Sequence, residues 1–254
     1  MSRKRSPQPI ARSAAPAAVP AAPFRLAAVD AARGVAIVVM VVYHFCFDLR
    51  VFRLTAADFE HDPFWLGLRA LILSSFLTLV GVSLVLADRP GATAARFGGR
   101  LARVAACAIA VTIASYVMFP QSFIYFGVLH CIVVASLLAQ PLRRAPRIAI
   151  ALGLSVIGLA YVGSHPAFDA RAWSWIGFGT HKPYTEDYVP VFPWAGVTLL
   201  GAGVAALAQG SAAWLRLAQL RPPVALAWLG QHSLAIYMIH QPVLMGLLWL
   251  LTST

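Results

Sequence analysis

Hydrophobic residues form seven long stretches along this chain, separated by short segments rich in arginine, proline or glycine. Each stretch is about as long as a helix that crosses roughly 30 Å of hydrocarbon. The pattern therefore predicts an all-α, polytopic membrane helical bundle of about seven transmembrane helices. The predicted spans are residues 26–49, 65–87, 101–119, 123–140, 147–163, 190–209 and 224–251. The fifth stretch is short and the seventh is long, so counts of six and eight helices stay open.

Residues 1–25 contain proline, alanine and scattered basic side chains in place of an apolar run. No apolar core follows the basic residues closely, as it would in a cleavable signal peptide. A segment of this composition cannot bury enough apolar surface to fold. We predict a disordered, basic cytoplasmic tail at 1–25 and one transmembrane domain at 26–254.

Charge is distributed unevenly across the predicted bundle. Of 254 residues, 60% are hydrophobic and 11% are charged, against about 25% charged residues in soluble domains. The net charge of +11 would indicate nucleic-acid binding in a soluble protein. Here fifteen of the twenty Lys and Arg residues fall on one side of the bundle, the side that faces the cytoplasm. The sequence predicts a cytoplasmic N-terminus, an outer C-terminus, the lipid bilayer as partner, and no nucleic acid.

The first predicted span contains polar residues that are costly in hydrocarbon, at about 2.5–3.5 kcal/mol for Asp or Arg at its centre. Arg33 and His44 are eleven residues apart, so they share one helix face at a separation of about 16 Å. Asp48 follows His44 by one turn. A histidine beside an orienting carboxylate suits general base catalysis, so His44 and Asp48 are catalytic candidates. Arg33 is a candidate for binding a phosphate; alternatively it anchors the helix at the headgroups or pairs with Asp30.

Two later spans add polar residues in the predicted outer half of the bundle. His130 lies in the fourth span, and the seventh presents Ser233, Tyr237, His240 and Gln241 on one face. We predict that His130, Tyr237, His240 and Gln241 bind substrate, with Tyr237 and Gln241 as candidate donors to a developing oxyanion. The alternative is that these residues only form hydrogen bonds between helices.

Two further features of the sequence bear on its chemistry. The outer segment 164–189 is rich in Trp and Tyr, which suits either a sugar site or an aromatic belt at the membrane interface. The three cysteines, Cys46, Cys107 and Cys131, lie in apolar stretches without metal-ligand spacing. No metal site and no disulfide framework are therefore predicted.

The order of several motifs resembles one superfamily of membrane enzymes. Residues 29–45 contain an acidic residue, Arg-Gly, an apolar run and then His. This order resembles the opening helix of the transmembrane acyltransferase superfamily. That superfamily includes the acyltransferase-3 proteins and bacterial relatives of the heparan-alpha-glucosaminide N-acetyltransferase catalytic domain, formerly a domain of unknown function; the continuation YHFCFDL resembles the second group. Further agreement comes from LVGVSL at 79–84, FGVLH at 126–130, VFPWAG at 191–196 and LGQHSLAIYMIHQP at 229–242.

The resemblance implies transfer of an acyl group from a cytoplasmic acyl-CoA, often acetyl-CoA, to an amine or hydroxyl of a sugar or glycan on the outer face. The functional Arg and His of the acyltransferase-3 branch map to Arg33 and His44. The heparan branch places its catalytic histidine in the loop after the first helix, where His61 is the candidate. Direct transfer and an acyl-histidine intermediate both stay open, as does homo-oligomerisation. The resemblance also implies a bacterial inner (plasma) membrane.

Two other classes of membrane protein are alternatives to an acyltransferase. A small-molecule transporter or flippase would also place polar residues in its helices, usually with internal repeats and helices broken at the midplane. No internal repeat stands out in this sequence. A haem- or metal-binding membrane protein would use paired histidines such as His44 and His130.

Overall fold

The computed structural model describes residues 26–88 and 92–253, so the predicted tail at 1–25 lies outside the described residues. Within those ranges the chain forms helices and no strand, with one isolated bridge between Phe126 and Tyr188. This confirms the predicted all-α class. The helices are α1 (Ala27–Val51), α2 (Pro63–Leu86), α3 (Ala94–Met118), α4 (Val128–Ala139), α5 (Pro146–Val162), α6 (Arg171–Ser174), α7 (Val191–Ala208), α8 (Ala212–Gln219), α9 (Val224–Gln231) and α10 (Ser233–Thr252).

Five of the described helices are long and apolar enough to cross a membrane, namely α1, α2, α3, α7 and α10. Two shorter apolar helices, α4 and α5, have 12 and 17 residues. At 1.5 Å per residue they are about 18 and 26 Å long, short of a 30 Å hydrocarbon core. These helices correspond to the predicted spans, and the count of seven transmembrane helices stays a prediction.

The fourth predicted span, 123–140, begins earlier than the helix that occupies it. Helix α4 starts only at Val128, because the preceding backbone is bonded to the segment before α7. The Glu186 N–H donates to the Ser122 carbonyl at 2.8 Å, and the Val189 N–H donates to the Phe126 carbonyl at 3.3 Å. These bonds, together with the bond from the Val128 N–H to Asp187, hold the segment before Val128 beside 186–189 and satisfy its backbone groups outside a helix.

The seventh predicted span, 224–251, is interrupted. Its helix breaks at His232, whose backbone angles are φ −101° and ψ 11°, and continues as α10. The His232 ring stacks on Trp228 with ring centroids 4.4 Å apart, and its Nδ1 lies 2.9 Å from the Trp228 carbonyl. Hydrophobic periodicity predicts that both halves are helical and carries no information on a one-residue break between them.

Glycines allow α1 and α9 to pack with their backbones in contact. A Cβ atom at Gly34 would lie 2.0 Å from the Leu226 carbonyl oxygen, and one at Gly230 would lie 1.7 Å from the Asp30 carbonyl oxygen. Only glycine permits such an approach, which is a common way for helices to associate in membranes. The packing places Asp30 directly against Gly230, near the end of α9.

Candidate active site

One large cavity lies inside the bundle. It is bounded by α1, α2, α3, α4, α9 and α10 and by the 182–188 segment, and its volume is about 1930 Å³. Pockets for drug-sized ligands measure roughly 300–1,000 Å³, so this cavity could hold a longer ligand. Its lining includes Arg33 and His44, which are about 16 Å apart along α1. We call the two regions around them the arginine end and the histidine end.

The arginine end begins with Arg33, which three helices hold in place. Its Nη1 donates to Asp30 Oδ1 at 3.0 Å and lies 3.5 Å from the Gly230 carbonyl, while its Nη2 donates to Ser83 Oγ at 2.7 Å. Asp30 also accepts a hydrogen bond from Gln231 Nε2 at 3.2 Å. The predicted Asp30–Arg33 pair is therefore present. The glycine-mediated contact of α1 with α9 positions this network.

Further arginines line the cavity, namely Arg96, Arg100 and Arg103 of α3 and Arg143 after α4. The guanidinium of Arg100 lies close enough to those of Arg33 and Arg103 for their positive charges to repel one another. A group of guanidinium side chains facing one cavity favours a ligand that carries several negative charges, since guanidinium binds phosphate oxygens in pairs. Arg221, which follows α8, does not line the cavity.

Asp88 also lines the cavity, and it pairs with two arginines. Its carboxylate accepts hydrogen bonds from Arg144 Nε at 2.8 Å and Nη2 at 2.9 Å, and Arg143 Nε lies 3.1 Å away. The hydrogen bonds from Arg144, and then those from Arg143, hold the pKa of Asp88 below its usual range. Asp88 therefore stays ionised, and it joins the end of α2 to the segment between α4 and α5.

At the histidine end, His44 and His240 face each other. Their ring centroids are 4.9 Å apart with an interplanar angle of 74°. The Nδ1 of His44 lies 3.1 Å from the Met40 carbonyl, and the Nδ1 of His240 lies 2.6 Å from the Tyr237 carbonyl. Because a carbonyl oxygen only accepts, the hydrogen-bond pattern assigns a proton to each Nδ1. Each neutral ring then has its lone pair on Nε2, as a general base requires.

The contacts of Asp48 correct one expectation. Asp48 was predicted to orient His44, but the Met40 carbonyl bonds the His44 ring instead. Asp48 is fully buried, and its Oδ1 accepts a hydrogen bond from Gln241 Nε2 at 2.6 Å. The imidazole turns back toward the preceding turn of α1, so Asp48 is left to bond α10.

Three buried polar atoms of this end have no hydrogen-bond partner: Asp48 Oδ2, Gln241 Oε1 and His240 Nε2. Each unsatisfied buried group costs about 1–3 kcal/mol. Such atoms accumulate where function opposes stability. Tyr237, the remaining candidate of α10, also lines the cavity.

Two predicted site residues lie away from the cavity lining. His61 is in the loop after α1, where its side chain is 81% exposed and pairs with Asp58 at 3.0 Å. His130 uses both ring nitrogens in structural contacts: Nδ1 accepts from the Gly127 N–H at 3.2 Å, and Nε2 lies 3.2 Å from Thr112 Oγ1. The geometry of His130 matches the alternative expectation of an interhelical hydrogen-bonding residue.

Several lining residues were not among the predicted site residues. Ser83 and Gln231 complete the Arg33 network, and Met40 contributes only its carbonyl. Asp187, in the segment before α7, accepts a hydrogen bond from the Val128 N–H at 2.9 Å, at the start of α4. Burial raises the pKa of Asp187. No spacing rule connects a loop carboxylate to a helix sixty residues earlier, so only the fold reveals this contact.

A family of known proteins matches most of the chain. Residues 25–242 match the family described as heparan-alpha-glucosaminide N-acetyltransferase, catalytic. No curated protein and no solved structure matches the chain. The match begins just before α1, ends just after His240 and Gln241, and so spans both ends of the cavity. The chain therefore belongs to the heparan-alpha-glucosaminide N-acetyltransferase catalytic family, a family of transmembrane acetyltransferases.

Proposed function

We propose that this protein moves an acyl group, normally acetyl, from a cytoplasmic acyl-CoA to an amine or hydroxyl of a sugar or glycan on the outer face of a bacterial inner membrane. His44 is the general base. The observation that carries the proposal is the single cavity that joins a group of arginines to a pair of histidines with free Nε2 lone pairs.

The arginine end would bind the donor. An acyl-CoA has a compact group of phosphates on a long, thin pantetheine arm. Arg33, Arg100 and Arg103 offer planar guanidinium groups for those phosphates. Arg33 is held rigidly by Asp30 and Ser83, so little side-chain freedom is lost when a phosphate binds. The arm would then lie along the cavity and bring the thioester to His44.

The histidine end would carry out the transfer. His44 Nε2 takes the proton from the attacking hydroxyl or amine while the acceptor attacks the thioester carbonyl. The C–S bond then breaks, and the CoA thiolate takes the proton from His44 and leaves as the thiol. The hydroxyl group of Tyr237, which lines the cavity, is the candidate donor to the oxyanion. Gln241 is less suited to that role, because its Nε2 already donates to Asp48.

The segment between α6 and α7 would receive the acceptor. The cavity lining includes Lys182, Tyr184, Glu186 and Tyr188. The Ser122 hydroxyl donates to the Glu186 carboxylate, and Tyr188 Oη donates to the Ser174 carbonyl, so the segment is held in place. Aromatic and polar side chains on a fixed segment suit a sugar, since the rings stack on its apolar face while the polar groups bind its hydroxyls.

A reconstituted assay tests this proposal. The purified protein in proteoliposomes would receive acetyl-CoA labelled in the acetyl group on one side and a panel of hexosamines and hydroxyl sugars on the other. We expect labelled acetyl-sugar on the acceptor side, and none with the His44→Ala variant. Equal labelling by empty liposomes, or no labelled product with any acceptor of the panel, would contradict the proposal.

The length of the cavity also suits a transporter, which stays the alternative function. The same vesicles separate the two activities. A transporter moves the intact labelled compound across the bilayer, whereas an acyltransferase leaves CoA on the donor side and moves only the acetyl group. A second label on the adenine of CoA would report which of these occurs.

A further inference from the structure

The proposed reaction leaves one buried group of the histidine end unused. His240 is 8% exposed, and its Nε2 is buried without a hydrogen-bond partner. The same ring donates through Nδ1 to the Tyr237 carbonyl at 2.6 Å, so the unpartnered nitrogen is the one with the lone pair. A buried acceptor without a donor is unfavourable in the resting protein. It becomes favourable if a donor appears beside it during the reaction.

His44 can become the source of such a donor. Its ring centroid is 4.9 Å from that of His240, in an edge-to-face arrangement. At this separation, rotation of one ring about its Cβ–Cγ bond can bring an N–H of one imidazole to the lone pair of the other. In the resting state both rings use their single N–H on backbone carbonyls, so no proton is left between them. Once His44 gains a proton on Nε2, the missing donor is present.

The charge around the pair favours that proton. Asp48 is fully buried one turn after His44, and its Oδ1 bonds Gln241, the residue next to His240. A buried carboxylate is costly unless a positive charge compensates it. With Asp48 ionised, the carboxylate and the two neutral histidines carry a net charge of −1, and the three groups together become neutral when the histidine pair holds one proton. The reaction therefore brings the group closer to electrical balance.

We propose that His240 is the proton-sharing partner of His44, and this inference rests on the proposed function. As the acceptor's O–H or N–H bond breaks and its new bond to the acyl carbon forms, the proton moves to His44 Nε2. That N–H then donates to His240 Nε2, and the two rings hold the proton between them. After the C–S bond breaks, the CoA thiolate takes this proton from the histidine pair and leaves as the thiol. His240 is thus a positioning residue that acts through His44.

Two substitutions at His240 separate proton sharing from packing. In His240→Leu no acceptor remains, and we expect kcat to fall by about 10–100-fold with the KM for acyl-CoA unchanged. In His240→Gln the amide oxygen can accept a hydrogen bond but cannot take the proton, so we expect an intermediate loss. The matched control is His165→Gln in the outer loop, away from the cavity lining, which should keep wild-type turnover. Thermal unfolding in detergent checks that each variant is folded.

Two readouts distinguish this role from a purely structural one. In mixtures of H₂O and D₂O, the wild-type kcat should depend on more than one proton, and the dependence should become linear in His240→Gln. In ¹⁵N-histidine-labelled protein in nanodiscs, a scalar coupling between one nitrogen of each ring should appear when the pair holds one proton. That coupling should vanish in His240→Gln.

The outcomes are separable. Normal kinetics in His240→Leu together with lost turnover in His44→Ala would overturn this inference and leave the proposed function standing. Absence of acyl transfer by the wild-type protein would overturn the proposed function, and the nitrogen coupling would still decide whether the two histidines share a proton. A wild-type protein that shows no coupling at any degree of protonation would refute the pair itself.

Discussion

A buried histidine can act as a base only if one ring nitrogen is left free, and the hydrogen-bond partners decide this residue by residue. His130 accepts from a backbone N–H with one nitrogen and contacts Thr112 with the other. His44 bonds a single carbonyl. The two residues look alike in the sequence, at similar predicted depth in apolar helices, and their partners separate them.

The role of His44 leads to the first prediction. His44→Ala and His44→Gln should each lower kcat by roughly 10²–10⁴-fold, the range expected when a general base is removed. Asp48→Asn should lose less, because the Met40 carbonyl already sets the tautomer of His44 and Asp48 contributes only its charge. Initial rates of acetyl transfer in proteoliposomes measure both effects.

His61→Ala is the control for this prediction. It removes an exposed histidine whose contact is with Asp58, and we expect near-normal rates. If His61→Ala abolishes transfer while His44→Ala retains it, the base lies in the loop after α1, as the heparan branch of the superfamily implies.

The second prediction concerns the donor site. Arg33→Ala should raise the KM for acyl-CoA, because the guanidinium is aimed into the cavity with other arginines. Arg33→Lys should restore only part of the affinity, since a point charge cannot bind phosphate oxygens in pairs. Equilibrium binding of CoA to the detergent-solubilised variants provides the measurement.

Arg33 also has a structural role that must be separated from binding. Removing it leaves Asp30 buried with Gln231 as its remaining partner, so the single variant should unfold at a lower temperature. The double variant Asp30→Asn/Arg33→Ala avoids the uncompensated carboxylate. If that protein regains stability and still binds CoA with wild-type affinity, Arg33 serves only to hold the helices together.

At the scale of helices, the Arg-Gly of α1 and the Leu-Gly-Gln of α9 form one packing unit. Close backbone approach at Gly34 and Gly230 is what lets Gln231 and the Gly230 carbonyl reach the Asp30–Arg33 pair. The helix contact thus sets the position of the proposed phosphate-binding group. Two short motifs that are almost two hundred residues apart in sequence therefore have one physical explanation.

The third prediction follows from that contact. Gly34→Ala or Gly230→Ala places a methyl group within about 2 Å of the opposite backbone, so α1 and α9 must separate. Overpacking commonly costs about 1–3 kcal/mol, and backbone cannot move aside as a side chain can. We expect a lower unfolding temperature and weaker CoA binding, measured on protein purified in detergent.

Gly158→Ala in α5 is the matched control. Its Cβ would meet no atom within 4 Å, and alanine is the better helix former by about 1 kcal/mol. This variant should be as stable as the wild type or slightly more so. Equal destabilisation of Gly34→Ala and Gly158→Ala would show that close backbone contact is not the cause.

At the scale of the whole molecule, the charge bias of the sequence predicts which end of the cavity faces the cytoplasm. Most basic residues fall on the side of Arg33, which the positive-inside tendency places in the cytoplasm. The donor would then enter from inside, and the histidine end would lie toward the outer face. This orientation stays a prediction.

Cysteine labelling provides the fourth prediction. A membrane-impermeant thiol reagent added outside intact cells should modify cysteines introduced in the segment 164–189, for example at Tyr184, which is 77% exposed. It should not modify Thr93→Cys, because the connection between α2 and α3 is predicted to be cytoplasmic. Modification of both after permeabilisation is the control, and labelling of position 93 in intact cells would reverse the orientation.

The hydrophobic pattern was sufficient to predict the all-α class, since apolar runs of this length satisfy their backbone groups in a bilayer only as helices or closed barrels. It also predicted the approximate place of each long helix. Polar residues inside those runs stood out for the same reason, because each is costly in hydrocarbon. The candidates Arg33, His44, Tyr237, His240 and Gln241 were recognisable on this ground, and all line the cavity.

Contacts between distant segments decided the rest. The start of α4 coincides with backbone bonds to 186–189, and the position of Arg33 depends on Ser83 of α2 and the Gly230 carbonyl of α9. The partner of Asp48 is a glutamine on α10 in place of the histidine one turn away. Periodicity determines which face of a helix is apolar, but hydrogen-bond partners are chosen by distances between helices. For this reason the sequence by itself determined which residues could form an active site, and only the tertiary structure decided which of their atoms are free to react.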